Sequence, residues 1–331
     1  MTATVGKPGR YQFNGDMRTI AGWIDACQRM TSAINIREAS KRFGSHTAVD
    51  GFSLDVASGT IYGFLGPNGA GKTTTLRMIT GILAPDAGNV TVLGGHKPEE
   101  VRGRIGYLPE EKGLYKDMRV ADVVAYFGQL KGLSRNEAQS RAQTRLAAAG
   151  LGDWMSTKCN ALSKGMGQKV QVIATLLHDP ELVVLDEPFS GLDPVNFEMV
   201  LELIRRYKRE GRTVIFSTHV VEHAEQICDS IVIIDRGKRK VAGTLAEVKA
   251  AAERTVVLDY EGDAGALDAY PGVVSADDAG QHAELKLAPD ADTQALLEAL
   301  VARVRIRRFD TREASLKQVF LQAVEDNHDA A

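Results

Sequence analysis

The run Gly66-Pro67-Asn68-Gly69-Ala70-Gly71-Lys72-Thr73 sets three glycines, a lysine and a hydroxyl in the spacing Gly-x-x-x-x-Gly-Lys-Thr. Glycines let consecutive backbone N–H groups turn toward one point. The spacing matches the P-loop pattern, which needs an apolar strand before it and a helix after it. Thr60 to Leu65 supplies the first and the stretch from Thr74 onward the second. The chemistry is recognition of a polyphosphate. Backbone amides and the positive helix end face the phosphates, Lys72 reaches the β and γ oxygens, and the Thr73 hydroxyl is placed to ligate Mg²⁺.

A second constellation is Leu182-Val183-Val184-Leu185-Asp186-Glu187, an apolar strand ending in two carboxylates. Ligands of open α/β sheets bind outside such carboxyl ends, so both acids are expected at the nucleotide. Asp186 is placed to hold Mg²⁺, directly or through water, and Glu187 to polarise an attacking water. One carboxylate cannot easily do both. Alone, an Asp-Glu pair after a strand marks a solvated loop; beside a P-loop it reads as catalytic.

The elements that must hold these residues are legible in outline. Ile34 to Phe43, Phe52 to Val56, Thr60 to Leu65 and Val90 to Leu93 are β-type runs separated by Gly and Asp, which predicts a β-rich flank. From Val120 to Gly150 apolar residues fall at helical spacing, with Val123, Val124, Phe127 and Leu130 on one face, predicting a helical insertion. Residues 167–238 then alternate helix and strand, and continuous apolar strands between helices imply a parallel sheet buried on both faces. Beyond Thr244 to Ala252, a strand at Thr255 to Tyr260, a helix at Thr293 to Ala302, a strand at Val304 to Phe309 and a helix through Leu316 to Val324 form a small α+β unit. Residues 1–32 read as an N-terminal extension with a short helix near Ile20 to Cys27. Met30 opens the segment that reads as a domain start, so what precedes it reads as an extension or an upstream start-site artefact.

Leu162-Ser163-Lys164-Gly165-Met166, shortly before the Asp186 strand, resembles the Leu-Ser-Gly-Gly-Gln signature of ATP-binding-cassette (ABC) ATPases. By that resemblance Ser163 and the Gly165 backbone bind the γ-phosphate held by an opposite subunit; as a bare pattern, Ser163 is also an ordinary helix N-cap. Ser190-Gly191-Leu192-Asp193-Pro194 looks like the family's D-loop, His219 like its switch histidine, and Phe43 like the aromatic that stacks on adenine. Glu110, after Ile105-Gly106-Tyr107-Leu108-Pro109, stands where most members carry a Gln that touches Mg²⁺. With Lys164 and Met166, the run Tyr107 to Tyr115 resembles the branch of sodium-export and drug-resistance ATPases. The spacing of His219, His223 and Cys228 also suits a metal site, but the resemblance gives His219 a phosphate-sensing role instead.

The resemblance thus implies an α/β fold: a P-loop ABC nucleotide-binding domain over 33–252, with β-rich flank and helical insertion, and an accessory α+β domain over 253–326. It implies ATP and Mg²⁺ bound by Phe43, Gly66 to Gly71, Lys72, Thr73, Thr74 and Asp193, with Glu110 and Asp186 as further Mg²⁺ ligands, and by Ser163 and Gly165 of a head-to-tail second copy. Hydrolysis then falls to Glu187, His219 and Lys72, driving a separate transmembrane permease as an exporter motor. A soluble ABC ATPase acting on nucleic acid or ribosomes is the rival class, and it predicts tandem cassettes, coiled-coil arms or a basic surface. The chain has 331 residues and a formal net charge of −3, so no basic background favours a nucleic-acid partner. A scaffold without turnover is expected to lose Glu187 or His219. Arg303, Arg305, Arg307 and Arg308 read as the solvated face of an edge strand. Three scattered cysteines, Cys27, Cys159 and Cys228, fit buried cytosolic thiols. With no apolar run near ~18 residues and no apolar signal core, the expected location is cytoplasmic, peripheral at the inner membrane face through the permease.

Overall fold

The computed structural model describes residues 32–325, apart from 112, 253, 289 and 313. The expected helix near Ile20 to Cys27, with Met30, lies outside them. Strands β1 (Ser32–Phe43), β2 (His46–Ala57) and β4 (Ala87–Val92) form an antiparallel flank in the order β2-β1-β4. The central sheet runs β5-β6-β7-β3-β8-β9. Its members are β3 (Ile61–Leu65), β5 (Ile105–Leu108), β6 (Leu182–Asp186), β7 (Thr213–Thr218), β8 (Ser230–Asp235) and β9 (Lys238–Thr244). Pairings from β5 through β8 are parallel, and β9 closes the edge antiparallel to β8.

The uninterrupted apolar strands follow from two covered faces. On one, Leu65, Leu185 and Phe216 pack against the helices Lys164–Leu176, Pro194–Arg209 and Val221–Ile227. On the other, Phe64, Val184 and Ile215 meet the helix Lys72–Ile79 and the inner face of the flank, through Ile34, Phe52 and Leu54. Every residue of β3, β6 and β7 is buried, as a parallel sheet between two layers requires.

The predicted helical insertion is two helices, Val120–Leu130 and Arg135–Ala148. Gly132, at φ +97°, turns the chain between them, and the Ser134 side chain caps the second by accepting from the Glu137 N–H. Their shared core, Val120, Val123, Val124, Ala142 and Leu146, closes on Val170, Ile173 and Leu177 of the Lys164–Leu176 helix and the residue after it. The insertion is thereby anchored to the signature-like segment.

In the C-terminal region β10 (Arg254–Glu261), β11 (Val273–Asp278), β12 (His282–Leu287) and β13 (Arg305–Arg312) form an antiparallel sheet ordered β11-β12-β10-β13. Helix Thr293–Val301 packs Leu296 and Leu300 on one face of it. β13 is an edge strand, and three of its arginines meet acids: Arg307 pairs with Glu261, and Arg308, at 2.7 Å, and Arg312 with Asp310. The last helix, Leu316–Glu325, turns back to bury Leu316 and Val319 in the core with Val221, Ala224 and Ile227. No helix among the described residues is long and apolar enough to cross a membrane.

Candidate functional site

The loop after β3 is shaped by its glycines. A Cβ on Gly66 would overlap the Ile234 carbonyl oxygen, and one on Gly71, at φ +101°, would overlap the Ala48 carbonyl. Only glycine lets the backbone pass so near its neighbours there. Gly71 is the N-cap of the Lys72–Ile79 helix without a side-chain cap, so the first helical N–H groups are left for a ligand.

Lys72 is only 6% exposed. Its ammonium donates to the carbonyls of Gly66 at 2.7 Å and Pro67 at 3.0 Å, and lies 3.9 Å from Glu187 Oε1. Burial pulls its pKa down, against the pull of Glu187, Asp186 and Glu110 in the other direction. A cavity of about 380 Å³ opens here, lined by Phe43, the loop from Asn68 through Thr74, Glu110 and Glu187, with His46 and Ala48. Phe43 is half exposed at its rim, with Lys41 Nζ 6.0 Å from the ring centroid.

At the carboxyl end of β6, Asp186 is fully buried. Its Oδ1 accepts from Ser217 Oγ at 2.5 Å, while Oδ2, equally buried, has no hydrogen-bond partner among the described residues. A buried carboxylate oxygen without a donor is costly unless a cation or water meets it. The oxygens of Asp186 and Thr73 are the hard donors that Mg²⁺ prefers, so the site fits that ion. Glu187 sits at φ +48°, a left-handed backbone that costs a non-glycine residue roughly 1–2 kcal/mol. Its N–H donates to Ser217 Oγ at 2.9 Å, and its Oε1 lies 2.9 Å from Nδ1 of the half-exposed His219.

The sequence-predicted residues fall into two groups. Phe43, Asn68 to Thr74, Glu110 and Glu187 converge on the cavity, with Gly66, Pro67, Asp186 and His219 directly behind them. Ser163, Gly165 and Asp193 do not line it. Ser163 is exposed and caps its helix by accepting from the Met166 N–H at 3.2 Å. Asp193 caps the next helix at Asn196 N, and a Cβ on Gly165 would come within 2.8 Å of Asn196 Nδ2. The two segments therefore pack on each other, and the Lys164 side chain lies across Gly191. His223, offered by spacing as a metal ligand, instead packs between the rings of Phe189 and Phe197.

Two residues the sequence reading passed over belong to the site. Ser217 reads as one more residue of an apolar strand, yet its hydroxyl ties Asp186 to Glu187. Gln168, buried in the Lys164–Leu176 helix, donates to the Pro188 carbonyl at 3.1 Å and fixes the turn after Glu187. A polar residue interrupting an apolar strand opposite Asp186 was the available signal for Ser217.

A parallel sheet carrying a glycine loop, a buried lysine and paired carboxylates at its carboxyl edge defines a P-loop nucleotide-binding protein. The comparisons narrow the class: residues 49–190 match the family described as ABC transporter, and residues 243–324 match the C-terminal domain of DrrA1-3-like ATP-binding proteins. YhaQ of Bacillus subtilis, an ABC transporter ATP-binding protein, is 38% identical over 88% of this chain and 98% of its own length. The linearmycin resistance ATP-binding protein LnrL of the same organism is 33% identical over 88% and 97%. Among solved structures, an ATP-binding subunit of an ABC transporter superposes with a TM-score of 0.61 at 31% identity, covering 66% of this chain and 92% of that one. The chain belongs to the ABC transporter ATP-binding proteins, a family of ATPases.

Proposed function

We propose that this protein is the ATP-hydrolysing motor of a membrane exporter, acting as a head-to-tail pair on a separate transmembrane permease. The observation that carries the pairing is the split of the site. The cavity gathers a lysine, hydroxyls and carboxylates for Mg-ATP, while the capped Ser163 segment stands exposed outside it. A helix N-terminus carries the positive end of the helix dipole and is a phosphate-binding element. Its own chain offers it no nucleotide, so a second copy does.

In this reading Lys72 holds the β and γ phosphates, Phe43 stacks on adenine, and Thr73 and Asp186 hold Mg²⁺ with Glu110 beside them. The ion neutralises phosphate charge when bound. Glu187 takes the proton of the attacking water, and His219, hydrogen-bonded to it, senses the γ-phosphate. Closure on ATP and opening after hydrolysis supply the motion. A second, largely apolar cavity of about 280 Å³, lined by Leu114 and Tyr115 of the segment before the insertion, Phe127 and Leu130 of its first helix, and Lys131 and His178, offers the permease its contact. Burial pushes His178 down to about 4, so it meets a partner uncharged. The export assignment rests on relatives such as the Nod factor export ATP-binding protein I of Burkholderia lata, and in this reading the permease holds the chain at the inner membrane face.

The test of pairing uses Glu187→Gln to trap bound ATP. Light scattering in Mg-ATP is expected to show the 35.8 kDa chain doubling in mass. Adding Ser163→Glu, which sets a carboxylate against the phosphate, is expected to restore the single-chain mass. A mass that never doubles, or doubles regardless of Ser163, counts against the arrangement.

A further inference from the structure

We propose that Ser217 is a positioning residue of the ATPase site, whose hydroxyl sets both the free oxygen of Asp186 and the strained backbone of Glu187. The inference rests on the hydrolytic roles given above to those two acids and adds the residue that aligns them. β6 and β7 run parallel with Asp186 opposite Ser217. That register brings a fully buried hydroxyl to the carboxyl edge, where the two acids sit.

The direction of the bonds is fixed by chemistry. A serine hydroxyl has one proton and two lone pairs. The Glu187 backbone N–H can only donate, so Ser217 Oγ accepts it at 2.9 Å and spends its own proton on Asp186 Oδ1 at 2.5 Å. Two consequences follow. Asp186 cannot rotate its carboxyl freely, because Oδ1 is pinned by a charge-assisted bond, and Oδ2 is left as the unpartnered buried oxygen. Glu187 is held in its left-handed conformation, which a non-glycine backbone leaves when nothing restrains it, and that conformation puts Oε1 within 2.9 Å of His219 and 3.9 Å of Lys72. One hydroxyl thus sets the cation-facing oxygen and the base in a common frame.

The alternative is that Ser217 merely satisfies two buried polar groups and contributes stability alone. Ser217→Ala and the nearly isosteric Ser217→Cys separate the two, since a thiol fills the space but donates weakly. Three measurements are made on each folded variant: ATP affinity without metal, Mn²⁺ affinity of the complex with a non-hydrolysable ATP analogue by electron paramagnetic resonance, and the steady-state kcat and KM. Loss of a hydrogen bond to a charged group predicts a fall of about 10- to 100-fold in kcat and about 10-fold in Mn²⁺ affinity. Metal-free ATP affinity is expected to stay within about twofold, because the P-loop itself is untouched, whereas KM for the metal–ATP complex should rise in step with the lost metal affinity. A purely structural serine lowers the melting temperature while leaving kcat per folded site and Mn²⁺ affinity as in the wild type; that result overturns the proposal. Should Ser217→Ala not fold, Ser217→Cys decides by the same criteria. Glu187→Gln is measured alongside: if it retains turnover, the hydrolytic reading itself fails, whereas an inactive Glu187→Gln with unaltered Ser217 variants sinks only the role of Ser217.

Discussion

The two halves of the proposed nucleotide site are built on opposite principles. Around the P-loop, Lys72, Asp186 and Glu187 are all buried and tied by bonds from within the chain: two loop carbonyls on Lys72, Ser217 on both acids, His219 on Glu187. Ser163 and Asp193, by contrast, are exposed, and their side chains cap their own helices. Buried charges are tolerated only with partners in place, so the first half arrives preorganised. The second costs nothing to leave idle and gains only when something is brought to it. Substitutions in the first half should therefore cost chemistry or binding about tenfold or more, on the order of a lost charged hydrogen bond, and those at its exposed margin should only tune it.

The largest effect is expected at Glu187. Glu187→Gln keeps the shape and the place beside His219 but removes the base, and phosphate release should fall roughly 10²- to 10⁴-fold while ATP still binds. A near-normal rate would move the base elsewhere and break the contrast between the halves. Lys72→Ala should act on binding instead. The ammonium that now rests on the Gly66 and Pro67 carbonyls is the one that phosphate oxygens would claim. Its loss should weaken ATP by about 10- to 100-fold in an equilibrium titration. Unaltered affinity would show that the backbone amides suffice.

How much of this was legible in sequence depends on whether the signal was local. The P-loop declared itself because glycine, lysine and threonine act within one turn, and Asp186 and Glu187 because they end an apolar run. The parallel sheet followed from runs such as Leu182 to Leu185, buried on both faces. β9, β11 and β12 were passed over: Lys238–Thr244 opens on three basic residues, Val273–Asp278 ends on two acids, and His282–Leu287 alternates over only six residues. The break at Lys131 to Ser134 was read through because the apolar spacing resumes beyond it. The polar side chain of Ser217 in an apolar strand was visible, but its role was not, since that depends on a strand register linking residues 31 apart. The return of Leu316 and Val319 to the ATPase core is equally non-local, as nothing in that helix says which face it will cover.

Glu110 tests the margin between the halves and should give the smallest effect. It follows β5, lines the P-loop cavity and raises the pKa of Lys72 across it, yet its side chain is exposed. Solvent screening limits what one exposed carboxylate contributes, so Glu110→Ala should raise the Mg²⁺ concentration for half-maximal ATPase by only roughly 2- to 5-fold. Glu110→Gln retains an oxygen for the ion and should keep most of the wild-type response. The next residues along the chain reach Leu114 and Tyr115 at the second, apolar cavity. Because one short segment spans both cavities, the Ala variant should also blunt stimulation of the ATPase by its membrane partner more than Gln does. Magnesium titrations of the three proteins, with and without that partner, decide the point. Identical curves for wild type and Glu110→Ala would make Glu110 an ordinary surface carboxylate and leave the P-loop half without a side chain that reports its state to the insertion.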